Sequence, residues 1–210
     1  MLSSVSIFLR SEPPITIARI AKKSLEIGLK EGYATWIGIS RLLKGEAMIQ
    51  MGNYEKALQL INQGVSEHSN AMAQTFLPFA QSVKAKGHLI TGDFDKSIAE
   101  LTEAESLSLR TNQLWYLPEI QRLYAETLLE LGETKSAHEY YNKALSTANN
   151  MDANFWKLKI AYSMATHQKY AIEYENTLLF LSETIDSIEE GFTSPFVIDA
   201  INLVKSNKRK

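Results

Sequence analysis

Four histidines are the only side chains of this sequence that ordinarily titrate near neutrality, so acid–base or metal chemistry is sought there first. His68, His88, His138 and His167 are scattered, and none opens an H-E-x-x-H zinc helix: Glu139 follows His138, but no histidine comes at the required spacing. His88 falls where a large packing residue is expected, which favours a core role over a ligand role. The chain has no cysteine, which excludes disulfides, a thiolate zinc site, an iron–sulfur cluster and a cysteine nucleophile. The phosphate-cradling G-x-x-x-x-G-K-[ST] loop, the G-x-G-x-x-G turn and the G-x-S-x-G nucleophile elbow are all missing. Adjacent carboxylates such as Glu189 and Glu190 read as a solvated helix end. The expectation is a non-enzyme with no catalytic, cofactor-binding or metal-binding residues.

What the sequence does supply is a repeat. Gly52, Gly92 and Gly132 lie forty residues apart, and each is followed by a polar residue and a helical stretch: GNYEKALQLI, GDFDKSIAEL and GETKSAHEYY. The same step carries an aromatic column, Trp36, Phe76, Tyr116 and Trp156. Three columns are small: Gly45, Ala85, Ala125, Ala165; Ala57, Ser97, Ala137, Thr177; and Gly64, Ala104, Ala144, Thr184. A large column runs Ile61, Leu101, Tyr141, Leu181, and Pro78 and Pro118 match with Gly38 in the equivalent place. Apolar residues recur at three- and four-residue spacing on both sides of each glycine, so each unit is two amphipathic helices. The glycine permits a left-handed backbone where the first helix ends. Small residues let helices approach closely, and the aromatic column is expected to fill the wedge between units. A lone hairpin of this kind cannot bury its apolar face, so the hairpins must stack.

These signals predict an all-α chain, a right-handed α-α superhelix of about four 40-residue hairpins with a leading half-repeat and a terminal helix. Pro13 and Pro14 open a helix over 13–31. Hairpins follow at 33–51 with 54–69, 71–91 with 94–110, 113–131 with 134–149, and a degenerate 153–169 with 171–188. A last helix starts after Ser194 and Pro195 and runs to about 205. Pro78 and Pro118 predict a kink or a late start. The domain reading is a flexible N-terminus over 1–12, one repeat domain over 13–205 (units 33–70, 71–110, 113–150, 153–190), and a basic tail over 206–210.

Charge narrows the partners. Residues 1–48 carry seven Lys/Arg against four Asp/Glu, whereas 49–204 carry eleven against twenty, so the body is acidic. Nucleic acid is a poor partner for such a surface, which lacks a basic stripe. No apolar run reaches the roughly 18 residues of a membrane span. The start has an apolar patch, Val5 to Leu9, but no secretion signal. Together with the absence of cysteine, this predicts a soluble cytoplasmic protein.

The spacing of small residue, glycine, small residue and small residue resembles the tetratricopeptide repeat: Ala85, Gly92, Ser97, Ala104 in one copy, and Ala125, Gly132, Ala137, Ala144 in the next. That family's usual period is about 34, so a step of 40 implies longer helices. The segments LWYLPEIQRLYAETLLELGE (114–133) and NFWKLKIAYSMA (154–165), and the ending SIEEGFTSPFVIDAINLV (187–204), are similar to the C-terminal repeat region of bacterial multidomain signalling ATPases, which often carry an adenylate/guanylate cyclase domain. The cyclase and ATPase domains themselves are absent, so neither activity transfers. The first repeat is only half present, and the chain reads as a separate product or a fragment.

The resemblance implies a concave groove lined by the first helix of each pair. Three inward positions read Ile39, Phe79, Glu119, Lys159; Leu42, Ser82, Arg122, Tyr162; and Glu46, Lys86, Glu126, Thr166. The candidate partner-binding groove is therefore apolar at one end (Ile39, Leu42, Phe79) and polar at the other (Glu119, Arg122, Glu126, Lys159, Tyr162), with Glu46 and Lys86 between. Two readings of the charges stand side by side: a ladder that holds repeats in register, or contacts to a partner. The apolar end is either covered, by helix 13–31 or by the missing half-repeat, or free to drive homo-oligomerisation. The implied function is a non-catalytic protein–protein interaction module, regulatory in an ATPase or cyclase system. The alternative is a sensor that takes a peptide or small ligand in the groove.

Overall fold

The computed structural model describes residues 12–69, 76–167, 174–188 and 194–207. Among them are ten α-helices and no strand. Helix α1 (Pro14–Glu31) leads, followed by the pairs α2 (Ala34–Gln50) with α3 (Tyr54–Ser69), α4 (Leu77–Ile90) with α5 (Phe94–Arg110), and α6 (Leu117–Glu130) with α7 (Thr134–Asn150). Then come α8 (Asn154–His167) with α9 (Tyr174–Asp186), and α10 (Pro195–Asn207). The predicted hairpins, the leading half-repeat and the terminal helix are all present. The two prolines give late starts, not kinks: each stands in its helix's opening turn, where a missing N–H costs nothing. A short 3-10 turn, Leu114–Tyr116, precedes α6. The basic tail beyond Asn207, the N-terminal stretch before Glu12 and the fourth turn at 168–173 lie outside the described residues.

The first three hairpins each turn on a glycine. Gly52, Gly92 and Gly132 have φ of 80°, 79° and 80°. The N–H of the residue after each reaches back five residues, Asn53 to Met48, Asp93 to His88 and Glu133 to Leu128, at 2.8–2.9 Å. This pattern satisfies the last carbonyls of the first helix and reverses the chain.

The small columns then set how closely helices meet. Ala85, Ala125, Ala165, Ala57, Ala137, Ala104 and Ala144 are all fully buried. A Cβ built on Gly45 would fall 2.6 Å from Ile61 Cγ1, so α2 and α3 touch at a distance only glycine allows. Ile61, Leu101, Tyr141 and Leu181 sit at the centre of successive hairpins, with no exposed surface. One continuous core runs from Leu42 to Ile160, and a second, made of Leu158, Leu181, Val197 and their neighbours, joins α8 to α9 and α10. The first helices touch along the array, α2 to α4, α4 to α6 and α6 to α8, more closely than the second helices do. The first helices therefore form the inner side of a curved solenoid.

The aromatic column behaves as expected in the middle and not at the start. Tyr116 is 2% exposed and Trp156 1%; their rings meet edge-on at 5.3 Å, and Phe79 caps Tyr116 at 5.2 Å. Trp36, expected in the same wedge, is 48% exposed. Among the described residues no first helix precedes it to close that wedge.

Candidate functional site

The inner side of the array does not carry the apolar half-groove expected from Ile39, Leu42 and Phe79. Leu42 is wholly buried against Gly64 of α3, and Phe79 lies among the rings of Trp115 and Tyr116 in the next unit. A first helix is flanked by its own partner and by the following unit, so the positions free to face inward form a narrow strip. Only Ile39 of the three keeps part of its surface. Glu46 and Ser82 are also buried, Ser82 donating to the Phe79 carbonyl at 2.6 Å. Lys86, Tyr162 and Thr166 remain half-exposed.

The polar end assembles as a single network across α6, α7 and α8. Lys159 Nζ donates to Glu119 Oε1 at 2.7 Å, one repeat along the sequence. Arg122 Nε donates to Glu119 Oε2 at 2.7 Å and Nη2 to Oε1 at 3.1 Å, while Nη1 pairs with Glu126. Ser163 donates to Glu126 Oε1 at 2.6 Å, and its oxygen lies 2.8 Å from the Tyr141 hydroxyl. His167 Nδ1 stands 3.7 Å from the same Glu126 oxygen. Lys159 also lies over the Trp156 ring, whose indole N–H donates to the Trp115 carbonyl at 3.1 Å. The spacing that suggested a ladder is a ladder: three and four residues along one helix turn, then forty to the next unit.

Burial and charge work against each other here. Burial would raise the Glu119 carboxyl, but Arg122, Lys159 and Lys86 hold it well below the usual carboxylate range. Burial likewise opposes the charge on Arg122, and Glu119 and Glu126 overcome it, so the guanidinium is more firmly protonated than usual. For Lys159 burial wins, pushing the ammonium down to about 8 against the pull of Glu119. Burial raises the Tyr141 hydroxyl, with Glu126 adding to it. Two carboxylates and two cations thus satisfy one another, and Lys86 of the preceding unit adds its charge to those that lower Glu119. Ser163 is too buried to meet a substrate.

A second network braces the outer layer. Glu105 accepts from Gln121 at 2.8 Å and pairs with Lys143 at 2.9 Å, while Thr147 donates to Gln121 at 2.8 Å. Tyr124 and Tyr140 stack at 4.1 Å beside it.

Ser163 and Tyr141 are the functional-site residues that sequence reasoning passed over. A signal existed: Tyr141 is the one member of its large apolar column with a polar tip, and Ser163 stands one period after Leu123, in a column otherwise filled by Leu43 and Val83. Two apolar columns gain a hydroxyl where the next unit meets them. Of the histidines, His88 is partly buried, and burial lowers its imidazole. His68 has its side chain outside the described residues. Among the described residues no three His, Asp or Glu side chains are grouped to hold a metal ion, and no helix is long and apolar enough to cross a membrane.

With this geometry in place, the tetratricopeptide repeat family profile matches residues 123–151, the end of α6, the glycine turn and α7. A crystal structure of nearly identical TPR-like repeats, described as from a kinesin light chain of Podosopora anserina, superposes with a TM-score of 0.53 at 12% identity. The match covers 92% of this chain and 87% of that one. The array is tetratricopeptide-like. At that identity the likeness concerns fold alone. No curated protein matches the chain. Tetratricopeptide repeats generally mediate binding of proteins or peptides, and the hairpins, glycine turns and stacked first helices described above share that fold.

Proposed function

We propose that this tetratricopeptide-like array is a non-catalytic scaffold that docks a protein segment on its inner face and regulates a bacterial signalling ATPase or cyclase. The observation that carries the reading is the cluster at α6 and α8, where Lys159 and Lys86 flank a carboxylate network next to half-exposed Tyr162. A docking segment with an acidic group would meet Lys86 and Lys159, and an aromatic or aliphatic side chain would meet Tyr162. The resemblance of 114–133, 154–165 and 187–204 to signalling ATPases supplies the regulatory context.

The test uses the intrinsic indole signal. Lys159 lies 5.3 Å from the Trp156 ring centre, so occupancy of the cluster should change tryptophan fluorescence. Titration with purified bacterial ATPase and cyclase domains should give a saturable change, weakened at least tenfold by Lys86→Glu with Lys159→Glu. Binding untouched by that pair would remove the inner face from the reading. A metabolite that raises the melting temperature, with no protein domain binding, would favour the ligand-sensor alternative.

A further inference from the structure

The ion cluster of α6 and α8 has more positive partners than it needs. Arg122 donates to Glu119 from Nε and Nη2 and pairs with Glu126 through Nη1, so one guanidinium answers both carboxylates. Lys159 Nζ then donates at 2.7 Å to Glu119 Oε1, an oxygen that Arg122 Nη2 already reaches. The amine can give up its charge and leave no buried carboxylate without a cation.

Its surroundings favour that loss. The Lys159 side chain is 17% exposed, and the Trp156 ring centre lies 5.3 Å from Nζ. Glu119 and Arg122 from α6 and Lys86 from α4 bear on the charge. Glu126 is taken up by Arg122, Ser163 and His167, and Asp199 of α10 bears on Tyr162. Burial, helped by Arg122 and Lys86, outweighs Glu119 and holds the ammonium down at about 8. The neutral amine keeps an N–H for Glu119 and turns its lone pair away from that carboxylate, where a small electrophile can meet it.

We propose that Lys159 is an acylation site whose donors are acyl phosphates. The Nζ lone pair attacks the carbonyl carbon, the carbon–oxygen bond to phosphate breaks, and phosphate departs with that electron pair. Nζ releases a proton to water, and nothing is oxidised or reduced. The amide retains one N–H for Glu119 and no charge, so the step exchanges an ion pair between α6 and α8 for a neutral hydrogen bond. Arg122 still answers the carboxylate. This reactivity needs no docked protein segment, so its failure and that of the docking reading are separate results.

Two effects set the size of the preference. At about pH 7.5, about a quarter of such an amine is neutral, against about 0.1% for one at the ordinary 10.5, a gain of about 240-fold. A less basic amine is also a weaker nucleophile; on the slope found for thiols, the step from 10.5 to about 8 costs about 18-fold. About tenfold remains.

The test treats the 210-residue chain with acetyl phosphate and reads the rate at each lysine across pH by mass spectrometry of its peptides. Lys159 should acetylate about tenfold faster than the exposed Lys22 and Lys30, with a rate that levels off above about pH 8. Lys86→Met, at a half-exposed position, should slow Lys159 severalfold and leave Lys22 unchanged. In guanidinium chloride the preference and the plateau should both vanish. Acetylation of Lys159 no faster than that of Lys22 would overturn the proposal, as would a preference that survives unfolding or ignores Lys86.

Discussion

Replacing Arg122 with Met tests how far the buried ion cluster on α6 stabilises the array. The Arg122 side chain is 8% exposed and bridges Glu119 and Glu126; methionine keeps most of its volume, so little of the effect comes from a cavity. Removing one partner of a buried ion pair costs about 3–5 kcal/mol, because the remaining charge stays buried without compensation. Lys159 still reaches Glu119 at 2.7 Å in the variant, whereas Glu126 keeps only Ser163 and the more distant His167. The loss should therefore fall near the lower end, about 3 kcal/mol. With a urea slope of about 2 kcal/mol per molar, the midpoint drops by about 1.5 M. Urea unfolding followed by tryptophan fluorescence at pH 7 reads this directly, since Trp115 and Trp156 flank the network. Without the guanidinium the two carboxylates protonate more readily, so the penalty should shrink as pH falls. A loss below about 1 kcal/mol, the range of exposed pairs, would refute the reasoning.

Three further outcomes follow from the same geometry. Glu119 has a folded pKa below its ordinary 4.5, so its contribution is present above that pH and is lost as pH falls toward the folded value; Glu119→Gln should flatten this part of the acid side of a stability–pH profile. Lys159 runs the other way. Its folded value near 8 lies below the unfolded 10.5, the unfolded chain holds more protons between them, and stability from this group rises with pH across that window; the Lys159→Met profile should lack the rise. Gly45→Ala should cost about 1–3 kcal/mol in thermal or urea unfolding, because its Cβ would meet Ile61 and the Ala57 carbonyl. Gly87→Ala should cost less, since the nearest atom there is the flexible end of Leu58.

The fold was legible because its determinants are strictly periodic. Gly52, Gly92 and Gly132 each need the same left-handed turn, and the alanine columns each need the same close approach, so one physical requirement is written three or four times. The site was legible only where its chemistry is local. Glu119, Arg122 and Glu126 lie within two turns of one helix, and Lys159 follows by a single period, so spacing alone brought them together. Leu42 and Phe79 misled because inward-facing positions were assigned from the resemblance, with no account of the thickness of the neighbours. In a 40-residue unit the longer helices and the Trp115–Tyr116 pair reach over positions that the assignment leaves open. The exposure of Trp36 has the same origin: a column predicts what a residue needs beside it, and only the stacking says whether that neighbour is there.

That distinction bears on why charged side chains join the first helices of the third and fourth units, where those of the second and third meet through Phe79 and Tyr116. An apolar contact of equal volume would be at least as stable, since buried ion pairs rarely repay their desolvation. What the network adds is direction. Glu119 accepts from two cations on different helices, and a slip of α8 along α6 would take Lys159 from Glu119 and Ser163 from Glu126 while Arg122 stays paired on α6. The apolar columns of Ala and Leu tolerate such a slip far better, because dispersion contacts have no preferred partner. The cluster therefore fixes the register of the fourth unit against α6, through Lys159 on Glu119 and Ser163 on Glu126. A docking surface built on stacked hairpins is only as definite as the stacking, and on this reading the same four side chains, Glu119, Arg122, Glu126 and Lys159, supply both.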